Sequence, residues 1–135
     1  MTNAIHAIHT EHAPKAIGPY SQAVAAGPYL HLSGQIPIDP KVGEITATTI
    51  EEQTRQVFEN IQAVLAADGL SLKDVVSTVV YLKDLKKDFV AMNTVYAEYF
   101  DQPVKPARTT IQAGELPKDA LIEITCVALR NMSRL

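Results

Sequence analysis

The segment Asp74-Val75-Val76-Ser77-Thr78-Val79-Val80-Tyr81-Leu82-Lys83-Asp84, DVVSTVVYLKD, decides how this chain folds. It is dense in β-branched residues, which pack well on a pleated surface and lose rotamer freedom in a helix, so 74–84 is predicted to be a strand. Val76, Val80 and Leu82 alternate with Val75, Val79 and Tyr81, and both faces of that strand are therefore apolar. A strand of this kind needs cover on both sides.

The flanking segments supply cover for one side. Upstream, Thr49-Ile50-Glu51-Glu52 is a capping box: the Thr49 hydroxyl can accept from the Glu52 N–H while the Glu52 carboxylate reaches back to Thr49. Ile50, Val57, Ile61, Val64 and Leu65 then fall on one helical stripe, and Asp68-Gly69 provides a left-handed stop. Downstream, Phe89, Met92, Tyr96, Tyr99 and Phe100 mark a second amphipathic helix. Further out, 107–113 and 121–129 read as strands joined by GELPKD, 4–10 as an edge strand, and 29–33 as a short strand that ends at Gly34 before a Pro-Asp-Pro turn. The order is strands, helix, strand, helix, two strands, which predicts an α+β layer structure with two helices on one face of the sheet. A partner subunit is expected on the other face.

The 135 residues, 47% of them hydrophobic, suffice for one domain over 1–135 with its own core. The net charge is −3 and the charges stand in small mixed groups, so electrostatics give nucleic-acid binding no support. The single cysteine, Cys126, lies in the strand-like run IEITCVAL and reads as a small buried core residue of a protein kept in a reducing compartment. No basic leader and no window of membrane-spanning length is present, so a soluble cytoplasmic protein is expected.

Three polar residues stand where a plain core would not place them. Arg108 opens the strand in Pro106-Ala107-Arg108-Thr109-Thr110-Ile111, and its planar, permanently charged fork matches a carboxylate. Glu123 interrupts LIEITCVAL, sharing a face with Leu121, Thr125 and Val127. Asn93 lies on or beside the stripe of the second helix. From spacing alone, Arg108 and Glu123 are equally readable as a structural ion pair or as an anion site. His6, His9 and His12 alternate faces and then enter a proline-rich loop, which is poor geometry for a metal. No phosphate-cradling glycine loop is present, and no His or Lys is placed to activate Ser33 as a nucleophile.

Six fragments in order, APKAIGPYSQAV (13–24), LSGQIPIDPKVGEI (32–45), VYLKDL (80–85), MNTVYAEYF (92–100), PARTTI (106–111) and LPKDALIEI (116–124), resemble the RidA (YjgF-type) family of reactive-intermediate deaminases. That resemblance implies a chorismate-mutase-like mixed sheet, a homotrimer with a barrel core, and active sites between subunits. It implies a substrate-binding set of Tyr20, Ser33, Asn93, Arg108 and Thr110, with Arg108 and Glu123 catalytic. It implies no cofactor and no metal. The chain departs from the best-known bacterial members at Thr110, where they carry cysteine, and at Thr125, where they carry a second acid.

The implied reaction is hydrolysis of 2-aminoacrylate and its imine, 2-iminopropanoate, or of 2-iminobutanoate, to a 2-keto acid and ammonia. Arg108 would clamp the carboxylate, Tyr20 and Asn93 would fix the substrate plane, and Glu123 would move protons through a bound water. Two alternatives share the same residues: a noncatalytic trimer that binds small carboxylates, and an RNA-cleaving protein like some relatives.

Overall fold

The computed structural model describes residues 5–130, in the order β1 (Ile5–Ile8), β2 (Ala23–Ala26), β3 (Tyr29–Leu32), β4 (Ile38–Asp39), β5 (Glu44–Ile45), α1 (Ile50–Ala67), β6 (Val75–Leu82), α2 (Leu85–Tyr99), β7 (Ala107–Gln112) and β8 (Ile122–Leu129). The strand predicted over 4–10 is β1, and Ala4 lies outside the described residues. Strand β2 and the small β4–β5 hairpin were not foreseen; β2 is an alanine-rich AVAA whose burial alternates, a pattern too weakly apolar to stand out in sequence.

Six strands form one sheet in the order β1-β2-β3-β8-β6-β7. All neighbours pair antiparallel except β6 and β7, which run parallel. A parallel pair needs a crossover, and α2 supplies it, packing back on the face that already carries α1. The result is two helices on one face of a mixed sheet. The capping box forms as predicted, with Thr49 Oγ1 accepting from Glu52 N at 3.2 Å and Glu52 Oε1 from Thr49 N at 3.4 Å. Gly69 takes φ 74°, and Leu70 N closes on Leu65 O at 2.9 Å, ending α1. A cap contributes about 1 kcal/mol. Each apolar side chain that α1 buries contributes about 1.5–3 kcal/mol, so packing of Val57, Phe58, Ile61, Val64 and Leu65 holds the helix more than its ends do.

The two faces of β6 require one correction. Between Val75 and Ser77 the pairing to β8 slips, and the bulge breaks the alternation. Val75 is buried with Thr78, Val80 and Leu82 against the helices, whereas Val76, expected on that face, is 42% exposed. Ser77, Val79 and Tyr81 point away from the helices, beside Glu123, Thr125 and Val127 of β8. Among the described residues, no helix lies on this second face. Buried amides fasten the remaining loops: Asn60 Nδ2 donates to Ile36 O and Ile38 O at 3.2 and 2.9 Å, and Gln53 donates to Ala47 O and accepts from Leu121 N at 3.0 and 2.9 Å.

Candidate active site

Arg108 sits on edge strand β7 opposite Thr78, on the helix-facing side of the sheet. Its Nη1 donates to Asn93 Oδ1 at 2.7 Å. The guanidinium carbon lies 4.7 Å from the Tyr96 ring centre and 5.7 Å from that of Phe89, so two aromatic faces of α2 flank it. The Tyr96 hydroxyl is in turn bonded to the Thr78 hydroxyl at 2.8 Å, in the buried space between strand and helix. Burial pushes the Tyr96 phenol above its ordinary range, with the Thr78 bond and the Arg108 charge opposing, which keeps it neutral. A cavity of about 510 Å³ opens beside Arg108, lined by Asn93, Tyr96, Ala97, Phe100 and Lys105.

Glu123 faces the other way. It pairs with Tyr81 across β6 and β8, on the side of the sheet without helices. Arg108 and Glu123 therefore stand on opposite faces of one chain, and the structural ion pair that spacing allowed between them does not form. Among the described residues the ion pairs are Arg55–Glu98, Lys83–Asp119, Lys118–Glu44 and Arg130–Asp68, and Arg108 contributes to none of them. Among the described residues no cation offsets it, and burial raises the Glu123 carboxyl above the usual carboxylate range.

Around Glu123 lies a second cavity of about 320 Å³, lined by Ile17, Tyr20, Ser33, Gly34 and Pro117. The Ser33 hydroxyl donates to Ser21 O at 2.6 Å, a bond that binds the start of this wall to the Tyr20 loop. The Tyr20 hydroxyl accepts from Ile17 N at 3.2 Å while the ring stays half exposed. Buried Gln22 holds that loop, accepting from Thr10 N at 2.8 Å and donating to Thr10 O and Pro14 O at 3.0 and 2.9 Å. Sequence reasoning singled out neither Gln22 nor Gly34. Gln22 stands inside GPYSQA, but a lone glutamine gives no signal of burial.

Gly34 has a steric reason. A methyl group built on its Cα would stand 2.0 Å from Glu123 Oε2, so the carboxylate rests on the bare backbone. Gly34→Ala should displace that carboxylate, the flexible end of its side chain, and leave the fold intact. The expected outcome is a fall in turnover of about tenfold or more with an unchanged thermal midpoint, since a misplacement of about 1 Å can cost up to 10²-fold. Assay and melting curve together check it.

Of the residues expected at the site, then, one chain brings together Arg108 with Asn93, and Glu123 with Tyr20 and Ser33, in two separate clusters. Thr110 lies two residues beyond Arg108 on the same side of β7, half-buried beside Val80. Thr125 Oγ1 donates to Leu32 O at 2.7 Å, a bond to the neighbouring strand. Cys126 is buried against the helices, and desolvation pushes its thiol up to about 12, which makes it inert. Among the described residues, no three His, Cys, Asp or Glu side chains gather as a metal site would require, and no helix is long and apolar enough to cross a membrane.

Two helices on one face of a mixed sheet, with an arginine fork at one edge and a carboxyl on the bare face, define an α+β protein with recurrent relatives. The chain belongs to the YjgF/RidA family, whose description, Endoribonuclease L-PSP, matches residues 10–130. It is 58% identical over 124 residues to a RutC family protein of Pyrococcus horikoshii, covering 92% of this chain and 97% of that one. It is 45% identical over 126 residues to the 2-iminobutanoate/2-iminopropanoate deaminase of Salmonella typhimurium, covering 92% and 97%. Among solved structures, E. coli TdcF with bound serine superposes with a TM-score of 0.88 at 41% identity, covering 93% of this chain and 99% of that one.

Proposed function

We propose that this protein is a cytoplasmic deaminase that hydrolyses 2-iminopropanoate and 2-iminobutanoate, the imines formed when serine and threonine lose water, to 2-keto acids and ammonia. The observation that carries this reading is Arg108: a fixed guanidinium fork, bonded to a neutral amide and free of any carboxylate among the described residues, beside an open cavity. Such a fork takes a small carboxylate by two parallel hydrogen bonds. The deaminase relative supports the reaction class.

The two clusters make sense as halves of one site. Arg108 stands on an edge strand and Glu123 on the face without helices, so apposing the edge of one copy with the face of another joins fork and carboxyl across a boundary. A homotrimer closed by such contacts would supply both halves at every boundary. In the joined site, Arg108 holds the substrate carboxylate, Tyr20 and Thr110 border the reacting carbon, and Glu123 takes a proton from water as its oxygen bonds to C2. The C=N electron pair moves to nitrogen, which takes that proton back from Glu123 to give the carbinolamine. Glu123 then carries the proton of the new C2 hydroxyl to the nitrogen, C2–N breaks, ammonia leaves and the carbonyl forms. No metal or organic cofactor is needed, because the imine carbon is already electrophilic.

The test is to release 2-aminoacrylate in situ from serine with a dehydratase and follow pyruvate with and without this protein. Faster pyruvate formation than in buffer is expected, and an equal rate would rule the reading out. Light scattering should give three times the monomer mass; a monomer at micromolar concentration would contradict the shared site. The family description favours RNA cleavage as a second reading, but a net charge of −3 without a basic stripe offers phosphates little attraction.

A further inference from the structure

Arg108 is held without being neutralised. Among the described residues its close partners, the Asn93 amide oxygen at 2.7 Å and the rings of Tyr96 and Phe89 at 4.7 and 5.7 Å, all carry no net charge. An arginine that merely braced an edge strand would more usefully pair with an acid, as Arg130 does here with Asp68 at 2.8 and 3.3 Å. Two acids are near in sequence, Glu98 and Asp101, yet Glu98 turns to Arg55 at 3.2 Å, and Asp101 lines the cavity without an ion pair to Arg108 among the described residues.

We propose that Asn93, Tyr96 and Phe89 are positioning residues that fix the plane of the Arg108 guanidinium while leaving its full charge for the ligand's carboxylate, so that neutrality at position 93 is itself required. This rests on the carboxylate-binding reading of Arg108, and it assigns Asn93 to the arginine in place of the substrate contact expected from the family resemblance. The geometry is specific. Asn93 occupies one N–H of one fork nitrogen, the two rings stand against the guanidinium, and among the described residues no partner takes the remaining N–H groups, which are left for an incoming anion. Tyr96 is anchored by Thr78, the residue that also faces Arg108 in the β6–β7 register, so strand, helix and strand close a ring about the guanidinium.

The isosteric Asn93→Asp change tests it. The new carboxylate would lie within bonding distance of Nη1, pair with Arg108 and compete with the ligand. Pyruvate is the probe, titrated calorimetrically against the intact protein, with thermal midpoints recorded alongside. Asn93→Asp should weaken pyruvate binding by about tenfold or more while its midpoint holds or rises, because an ion pair has been added. Asn93→Ala, which removes the bond and keeps the charge, should lose less affinity. Phe89→Leu should lose about threefold through one lost aromatic face. In the imine assay the same variants should raise KM more than they lower kcat.

The rank order of the variants decides the matter. If Asn93→Asp binds pyruvate as well as Asn93→Ala, or if both match the wild type, the proposal is wrong. It is also wrong if the wild type fails to bind pyruvate at all. A wild type that binds pyruvate with this variant order but does not speed imine hydrolysis would overturn the deaminase reading and leave the positioning proposal standing.

Discussion

Arg108→Ala should reduce pyruvate formation from 2-aminoacrylate to the rate in buffer. The fork makes two charge-assisted hydrogen bonds to one carboxylate, each contributing about 1.5–3 kcal/mol, and truncation removes both. Since about 1.4 kcal/mol is a factor of ten, the combined loss is of the order of 10²–10⁴-fold in kcat/KM. Arg108→Lys keeps the charge and loses the fork, so it should recover only a small part. Folding should be little affected by either change. Arg108 is exposed on an edge strand and bonds one exposed amide, so its removal orphans no buried charge. A melting curve close to that of the wild type, with activity gone, is the expected pair of results; activity within threefold of the wild type would show that the carboxylate is held elsewhere.

Which parts of this architecture were legible in the sequence follows from how local their causes are. Helix α1 announces itself because its capping box, apolar stripe and Gly69 stop all lie within about twenty residues of one another and all act on that segment alone. The strand at 75–82 was legible for the same reason, yet its facing was misassigned at Val76, because a bulge is set by the pairing partner and leaves no mark on the bulged strand. Sheet order is less local still. Strand β8 follows β7 in the chain but pairs between β3 and β6, and no pattern within IEITCVAL says so.

The site divides along the same line. Arg108 and Glu123 stand out because charge inside a strand is conspicuous, and the family motifs brought Tyr20, Ser33 and Asn93 with them. What the sequence could not give was facing. The β6–β7 register puts Arg108 over α2, the β6–β8 register turns Glu123 outward, and only the two together separate the charged groups. The role of Asn93 was likewise hidden, since it depends on where the Arg108 side chain ends rather than on where either residue begins. Gly34 shows the converse: its reason for being glycine is a carboxylate that arrives from nearly ninety positions away.

Glu123→Gln should lower turnover by about 10²–10⁴-fold, the range that general acid–base groups contribute, while making the protein no less stable at neutral pH. Both halves follow from one environment. Burial raises the Glu123 carboxyl above the usual carboxylate range, so the folded protein binds that proton more tightly than the unfolded chain does. Between the ordinary value and the raised one, the unfolded state is the less protonated, and stability falls as pH rises through that window. Glutamine keeps the shape without the charge and abolishes this loss. For catalysis the sign is opposite. Accepting a proton from water requires the carboxylate, so the wild-type rate should rise with pH along a limb displaced above the ordinary carboxylate range, and that limb should vanish in Glu123→Gln. A pH–rate profile beside a pH–melting series measures both. If Glu123→Gln lost activity and stability together at neutral pH, the carboxylate would be a structural anchor on the bare face of the sheet; a retained acidic limb would mean that another group moves the proton.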